Sequence, residues 1–275
     1  MARVSAIVPI YNDSTFINLC LSSIIDAVEE VIFVDGGPLG PSTDNPESQI
    51  DKRFPQEKIK FVYGTFVDKE GKWDRKNQLR KGYEEAISEY LMPMSVDMIL
   101  NNSEVLLGIT ERYDEVWCNA YDFWMDMKSL RIENGTPIKN ICLCCRKGLI
   151  NEDKNFGTNN NKVFLHNSSR YHFGWIRPFA QQVVKHIRHI NEGAWGDLGR
   201  EVSSLGDEAI EIWAIQHVLR YKNSDSIVTP ELISKVAIPE MKYLDGFADY
   251  QKDFEERTGK DFYVGITQIP THLIV

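Results

Sequence analysis

VSAIVPIYNDSTFINLCLSSIIDAVEEVIFVDGG, residues 4–37, decides the fold class. Its first seven residues are a near-continuous apolar run, the mark of a strand buried on both faces. Phe16, Leu19, Cys20, Ile24 and Val28 then recur at helical spacing, with Asp13 or Ser14 placed to cap the helix. Residues 31–37, VIFVDGG, read as a second buried strand that closes on an acid and two glycines. Strand, helix and strand within about 35 residues make a βαβ unit, which requires parallel strands and a right-handed crossover.

Working outward, residues 38–58 are rich in Pro, Asp and Ser and read as loop, and IKFVYGTF (59–66) as a third strand. From Gln78, a helical face collects Leu79, Tyr83, Ala86, Ile87 and Tyr90, and MPMSVDMIL (92–100) reads as a fourth strand with Asp97 near its end. The second half is more mixed. EVWCNAYDFWMD (115–126) and IKNICLCC (138–145) look like strands, 147–162 is a polar loop, and 179–190 and 207–222 are amphipathic helices. The tail from about 243 reads as irregular and aromatic-rich. The expected architecture is a Rossmann-like α/β domain over 1–178, with a parallel-rich nucleotide-binding half to about 110 and an acceptor half beyond it. Residues 179–275 would form a helical and irregular extension packed on the same domain.

At 275 residues and 43% hydrophobic, the chain can bury a sizeable core. A net charge of −9 argues against a broad nucleic-acid groove, so no nucleic-acid partner is expected. Five cysteines, an odd number, with no signal peptide ahead of the first strand, favour a reducing cytoplasm. Cys142, Cys144 and Cys145 lack the spacer and second pair of a zinc site, and strand alternation would send Cys142 and Cys144 to one face. No apolar run approaches the roughly 20 residues of a membrane span, so the expected location is the cytoplasm or the cytoplasmic face of a membrane.

Ligands of open α/β sheets bind at the C-terminal ends of the parallel strands. Pro9-Ile10-Tyr11-Asn12, Asp35-Gly36-Gly37 and Ser95-Val96-Asp97 all fall on that rim. Asp35 could accept hydrogen bonds from a base or ribose, and Asp97 could ligate a hard divalent cation. Neither a dinucleotide fingerprint, a P-loop nor a nucleophile elbow occurs.

These residues resemble the start of a GT-A glycosyltransferase of the family-2 type. The resemblance runs through VSAIVPIYN, VIFVDGG and QLRKGYEEAISEYLMPMSVD, with Gly82, Ala86 and Asp97 in place. It continues more thinly through NEDKNFG to YHFGWIRP, which is similar to a Tyr-His-Tyr-Gly-Trp-Val-Arg segment in one branch of these enzymes. It implies that Pro9, Tyr11, Asn12, Asp35, Gly36, Val96 and Asp97 cradle a UDP-, GDP- or dTDP-sugar. The acceptor could be a glycan, a lipid or a protein. The family's Asp-x-Asp is altered: Ser95 replaces the first acid and Met98 the acid that often follows the second. The Arg-Asn pair that often precedes the helix is altered too, and either Arg75 and Asn77 or Arg80 could take its place.

Sugar transfer leaves negative charge on the departing β-phosphate, which Mn²⁺ or Mg²⁺ can stabilise as a Lewis acid. With one local carboxylate, Asp97, the ion needs further ligands, and the resemblance offers the His172 imidazole, which Mn²⁺ accepts more readily than Mg²⁺. The competing reading of His172 is a core histidine among Tyr171, Phe173 and Trp175. Arg177 could hold a phosphate by a bidentate fork. His186 and His189 have the spacing of a helical metal pair, but Lys185 and Arg188 beside them oppose a cation. An inverting transferase also needs a general base, and the resemblance points to Asp153, with Glu152, Asp122 and Asp126 in reserve. The expected function is therefore metal-dependent, inverting glycosyl transfer. The alternatives are a non-catalytic nucleotide-sugar or glycan binder and, more weakly, a sugar-phosphate nucleotidyltransferase.

Overall fold

The structure, a computed structural model, describes residues 3–108, 113–124, 126–131, 139–149, 161–174, 179–193, 201–222, 226–228 and 247–259. They fall into two compact units, with the boundary inside one strand at Asp122. The first takes the described residues up to Asp122 and those from 139 to 174.

Its sheet begins with the βαβ unit: β1 (Val4–Ile10), α1 (Ile17–Ile24) and β2 (Glu30–Asp35), the two strands parallel and buried throughout. β3 (Ile59–Tyr63) extends it on the β2 side, and β4 (Tyr90–Pro93) on the β1 side, both parallel. Helix α2 (Arg75–Glu85) packs on β1 and β2 through Gly82, where an added Cβ would lie 2.3 Å from Ile7 Cγ2. That contact fixes how closely the helix approaches the sheet. Beyond β4 the pairing turns mixed. β8 (Lys139–Arg146) is antiparallel to β4, β6 (Glu115–Trp124) antiparallel to β8, β9 (Lys162–His172) parallel to β6, and β5 (Met98–Asn101) antiparallel to β9.

The order β5-β9-β6-β8-β4-β1-β2-β3 has a geometric consequence. β4 and β5 are joined by residues 94–97, yet three strands stand between them. Four spacings of about 4.8 Å in a flat sheet exceed the reach of that link. The sheet therefore curls, bringing β9 over the end of β4, where Arg170 donates to the Pro93 carbonyl at 3.2 Å. This is the mixed α/β sheet flanked by helices that the sequence led us to expect.

Several boundaries differ from the sequence reading. The strand expected over 92–100 is two strands, broken by a turn in which the Met98 amide donates to the Ser95 carbonyl. α2 starts at Arg75 and stops at Glu85, so Ile87 and Tyr90 are not on its face. The Glu30 carboxylate accepts from the Ile87 amide at 2.8 Å, and Ser5 Oγ accepts from the Ser88 amide at 3.2 Å, drawing the chain out of the helix. No side chain caps α1, because its N-cap residue is Phe16; Ser14 lies outside the cap and bonds Asp44. In β8 the register jumps from Val116–Cys144 to Trp117–Cys142, leaving Leu143 as a bulge, so Cys144 is buried while Cys142 is partly exposed. Against β6, strand β9 skips 166–168: Cys118 pairs with Leu165 and Asn119 with Ser169. Two of those three residues are pinned to the end of β5, Asn102 Nδ2 donating to the Asn167 carbonyl and Ser168 Oγ to the Asn101 carbonyl, both at 3.0 Å.

The second unit contains the last residues of β6, its hairpin partner β7 (Asp126–Arg131), and β10 (Ser226–Val228) antiparallel to β7. It also contains α3 (Phe179–Asn191), α4 (Asp207–Lys222) and α5 (Phe247–Thr258), the last in the tail expected to be irregular. Phe179, Val183, Ile190, Trp213, Ile215 and Phe254 form its core. Among the described residues no helix is long and apolar enough to cross a membrane.

His186 is buried in that core, its ring 4.8 Å from His217, which stacks on Trp213. Burial, then the neighbouring His217 and His189, press its pKa down to about 2. The unfolded chain takes up this proton near pH 6.5 and the folded chain does not, so stability falls as pH drops below about 6.5. The urea midpoint should be lower at pH 5 than at pH 7, and His186→Gln should narrow that gap.

Candidate active site

Asp97 sits in the turn between β4 and β5, and β5 begins at the next residue. The β5–β9 register pairs Met98 with His172, and the Phe173 amide donates to the Asp97 carbonyl at 2.8 Å. Main-chain pairing thus brings together two residues far apart in sequence: His172 Nε2 is 3.5 Å from Asp97 Oδ1. On the ring's other side, Nδ1 is 3.2 Å from Asp122 Oδ1, and Asp122 Oδ2 is 2.7 Å from Lys139 Nζ. The row Asp97–His172–Asp122–Lys139 alternates charge along its length when the imidazole is protonated.

Electrostatics follow the geometry. Burial alone would lower the His172 pKa, but the Asp97 charge and the hydrogen bonds to Asp122 and Asp97 push it up to about 9. Burial would raise Asp122, yet the His172 contact and then Lys139 hold it well below the usual carboxylate range. Gly174 lies against the pair: a Cβ there would come 2.5 Å from His172 Nε2 and 2.6 Å from Asp97 Oδ2. Only glycine lets the main chain pack this closely against both polar atoms. Gly174→Ala should push these side chains apart and lower the urea midpoint of unfolding.

A second group of expected residues gathers at the ends of β1 and β2. Asp35, 1% exposed, accepts from both the amide and the hydroxyl of Ser42. Burial raises its pKa, and the Ser42 bonds oppose that shift. Asn12 is left-handed (φ 48°); its amide donates to Ser42 Oγ, and its Oδ1 accepts from the Thr43 amide at 2.7 Å. Ser42, Thr43 and Asp44 thus strap across the strand ends, and Ser42 covers the Asp35 carboxylate. The Tyr11 ring covers Gly37, where a Cβ would clash at 2.4 Å, and Gly36 packs more tightly still, its Cβ position 1.9 Å from the Gly64 carbonyl oxygen. Pro9 is buried in β1, and Val96 is buried in the turn between β4 and β5.

Of the arginine alternatives, Arg75 reaches the 95–97 turn, Nη2 donating to Ser95 Oγ at 2.9 Å, with its guanidinium 6.0 Å over Trp73. Arg80 instead donates to Asn77 Oδ1 at 2.8 Å on the exposed side of α2. Asp153 and Arg177 lie outside the described residues, as does the side chain of Asp126. Sequence reasoning missed Gln78, which is fully buried and donates to the carbonyls of Ile10, Val34 and Gly36 while accepting from Trp73 Nε1. It ties the ends of β1 and β2 to the start of α2.

No group of three or more His, Cys, Asp or Glu arranged to hold a metal ion occurs among the described residues. A two-ligand site remains consistent with the geometry. Donors each about 2.1 Å from one ion stand about 3 Å apart at right angles, and Asp97 Oδ1 and His172 Nε2 are 3.5 Å apart. Carboxylate and imidazole together would suit Mn²⁺.

The curled mixed sheet flanked by helices is that of a GT-A-type domain. The chain belongs to glycosyl transferase family 2, whose model matches residues 5–179, more than half its length. No curated protein sequence matches it. Among solved structures it is similar to residues 1–349 of S. aureus TarS, at 15% identity and TM-score 0.40 over 99% of this chain and 83% of that one. For the longer TarS chain the covered share is 43%. It is also similar to the mannosyltransferase PcManGT from Pyrobaculum calidifontis in complex with GDP-Man and Mn²⁺, at 13% identity and TM-score 0.40 over 97% and 85%. HddC from Yersinia pseudotuberculosis, complexed with GMP-PN, matches at 10% identity and TM-score 0.41 over 62% of this chain and 93% of that one.

Proposed function

We propose that this domain transfers a hexosyl group from a nucleotide-sugar to an acceptor hydroxyl with inversion, using a divalent metal. The observation that carries the reading is the Asp97–His172 pair, Oδ1 and Nε2 3.5 Å apart with Gly174 packed against them. Asp97 and His172 would hold the ion, and Arg75, beside Ser95, would meet the diphosphate. When bound, the ion supplies Lewis-acid stabilisation of the leaving diphosphate. Ser95, where an acid is common, leaves Arg75 unneutralised by a carboxylate at that position. Tyr11, Asn12 and Asp35 would receive the nucleoside once the 42–44 strap gives way. Asp153, assigned from the sequence resemblance, would take the acceptor proton as the hydroxyl attacks the anomeric carbon.

The test is release of nucleoside diphosphate from a panel of UDP-, GDP- and dTDP-sugars with Mn²⁺, Mg²⁺ or EDTA, followed long enough to detect donor hydrolysis. Metal-stimulated release from at least one donor is expected. Donor binding with no turnover under any condition would instead favour a non-catalytic binding protein. A proton held on His172 up to about pH 9 competes with the metal. Mn²⁺ affinity should therefore rise between pH 7 and 9, and the slope should flatten in His172→Ala.

A further inference from the structure

We propose that Asp122, itself held by Lys139, is the positioning residue that fixes the His172 ring with Nε2 toward Asp97. This rests on the reading of Asp97 and His172 as the metal and diphosphate anchor.

Three observations converge. The β6–β9 ladder pairs Asp122 directly with His172, so both side chains leave the same face of adjacent strands. Asp122 Oδ1 is 3.2 Å from Nδ1, while Nε2 faces Asp97 at 3.5 Å, so the two nitrogens are committed to different carboxylates. Lys139, paired with Ala120 on the neighbouring strand, reaches past that small residue to Asp122 Oδ2 at 2.7 Å. Ala120 and Asp122 alternate onto one face, so Lys139, Asp122 and His172 make a continuous row across β8, β6 and β9.

The chemistry gives the row its purpose. An ionised carboxylate only accepts hydrogen bonds, so Asp122 requires the hydrogen on Nδ1 and leaves the Nε2 lone pair for a ligand in the neutral ring. Lys139 holds the carboxylate at its other oxygen, which limits rotation of Asp122 away from the ring. Carboxylates in this relation to a metal-binding imidazole typically change metal affinity 10–100-fold when removed. A plain structural ion pair would carry no such effect on metal binding.

The experiment measures Mn²⁺ affinity of the full chain without donor, by electron paramagnetic resonance, together with the Nδ1–H proton resonance of His172. Asp122→Ala should weaken Mn²⁺ binding about 10–100-fold and remove the resonance, while Asp122→Asn, which keeps an acceptor oxygen, should recover most of both. Lys139→Met should weaken binding several-fold, and it serves if Asp122→Ala does not fold. Parent-like affinity in Asp122→Ala, or in Lys139→Met as its substitute, alongside weakened affinity in His172→Ala, overturns the positioning role and leaves the anchor intact. If His172→Ala binds Mn²⁺ like the parent, the anchor reading falls. The Nδ1–H resonance then decides alone, and its survival in Asp122→Ala overturns the positioning role as well.

Discussion

Asp97→Asn is expected to lower kcat/KM for metal-stimulated donor turnover by about 10²–10³, from the loss of roughly 3–4 kcal/mol of charge stabilisation on the leaving diphosphate. Asparagine keeps the size of the side chain and leaves the Asp97 carbonyl accepting from the Phe173 amide, so the β4–β5 turn should survive. Melting temperature should therefore move little while activity collapses. The acid is buried and sits 3.5 Å from His172 Nε2, so its charge has no nearby equivalent in the turn, where Ser95 is neutral and bonded to Arg75. Steady-state kinetics at saturating Mn²⁺ settle the matter: turnover within twofold of the parent would remove Asp97 from the mechanism.

The second large effect is on stability. Gln78→Leu should cost about 2–4 kcal/mol in urea unfolding, because buried carbonyls of Val34 and Gly36 lose a donor and Trp73 Nε1 loses its acceptor. Gln78→Glu should cost more, since it sets a carboxylate among three carbonyl oxygens. The order parent, Leu, Glu is the discriminating result. A leucine variant within about 0.5 kcal/mol of the parent would mean the strand ends hold together without this side chain.

How far the sequence could be read depended on whether a signal was local. The βαβ unit was legible because burial on both faces writes itself as unbroken apolar runs in β1 and β2. Asp97 and His172 were legible from motif resemblance. Their meeting has a cause no window of sequence contains, the pairing of β5 with β9. The Asp122–His172 contact was hidden further, because β9 skips three residues before those two align. The break at 94–97 was missed because Met-Pro-Met-Ser-Val is as apolar as a strand and carries no glycine to mark a turn. The end of α2 was missed because the groups that capture its last amides, Glu30 and Ser5, come from other strands. Gln78 looked like one more polar helix residue, and only burial shows that it is a clamp.

The three skipped residues of β9 also define a competing way to assemble the sheet. Continuing the ladder unbroken from Cys118–Leu165 would bring Ser169 opposite Asp122 and carry His172 about 10 Å past it, at about 3.3 Å per residue. A shift of three is odd, so it would also turn Tyr171, buried in the native sheet, to the opposite face. The bonds from Asn102 to Asn167 and from Ser168 to Asn101 hold the native alternative. Only this looped-out register sets His172 opposite Asp122.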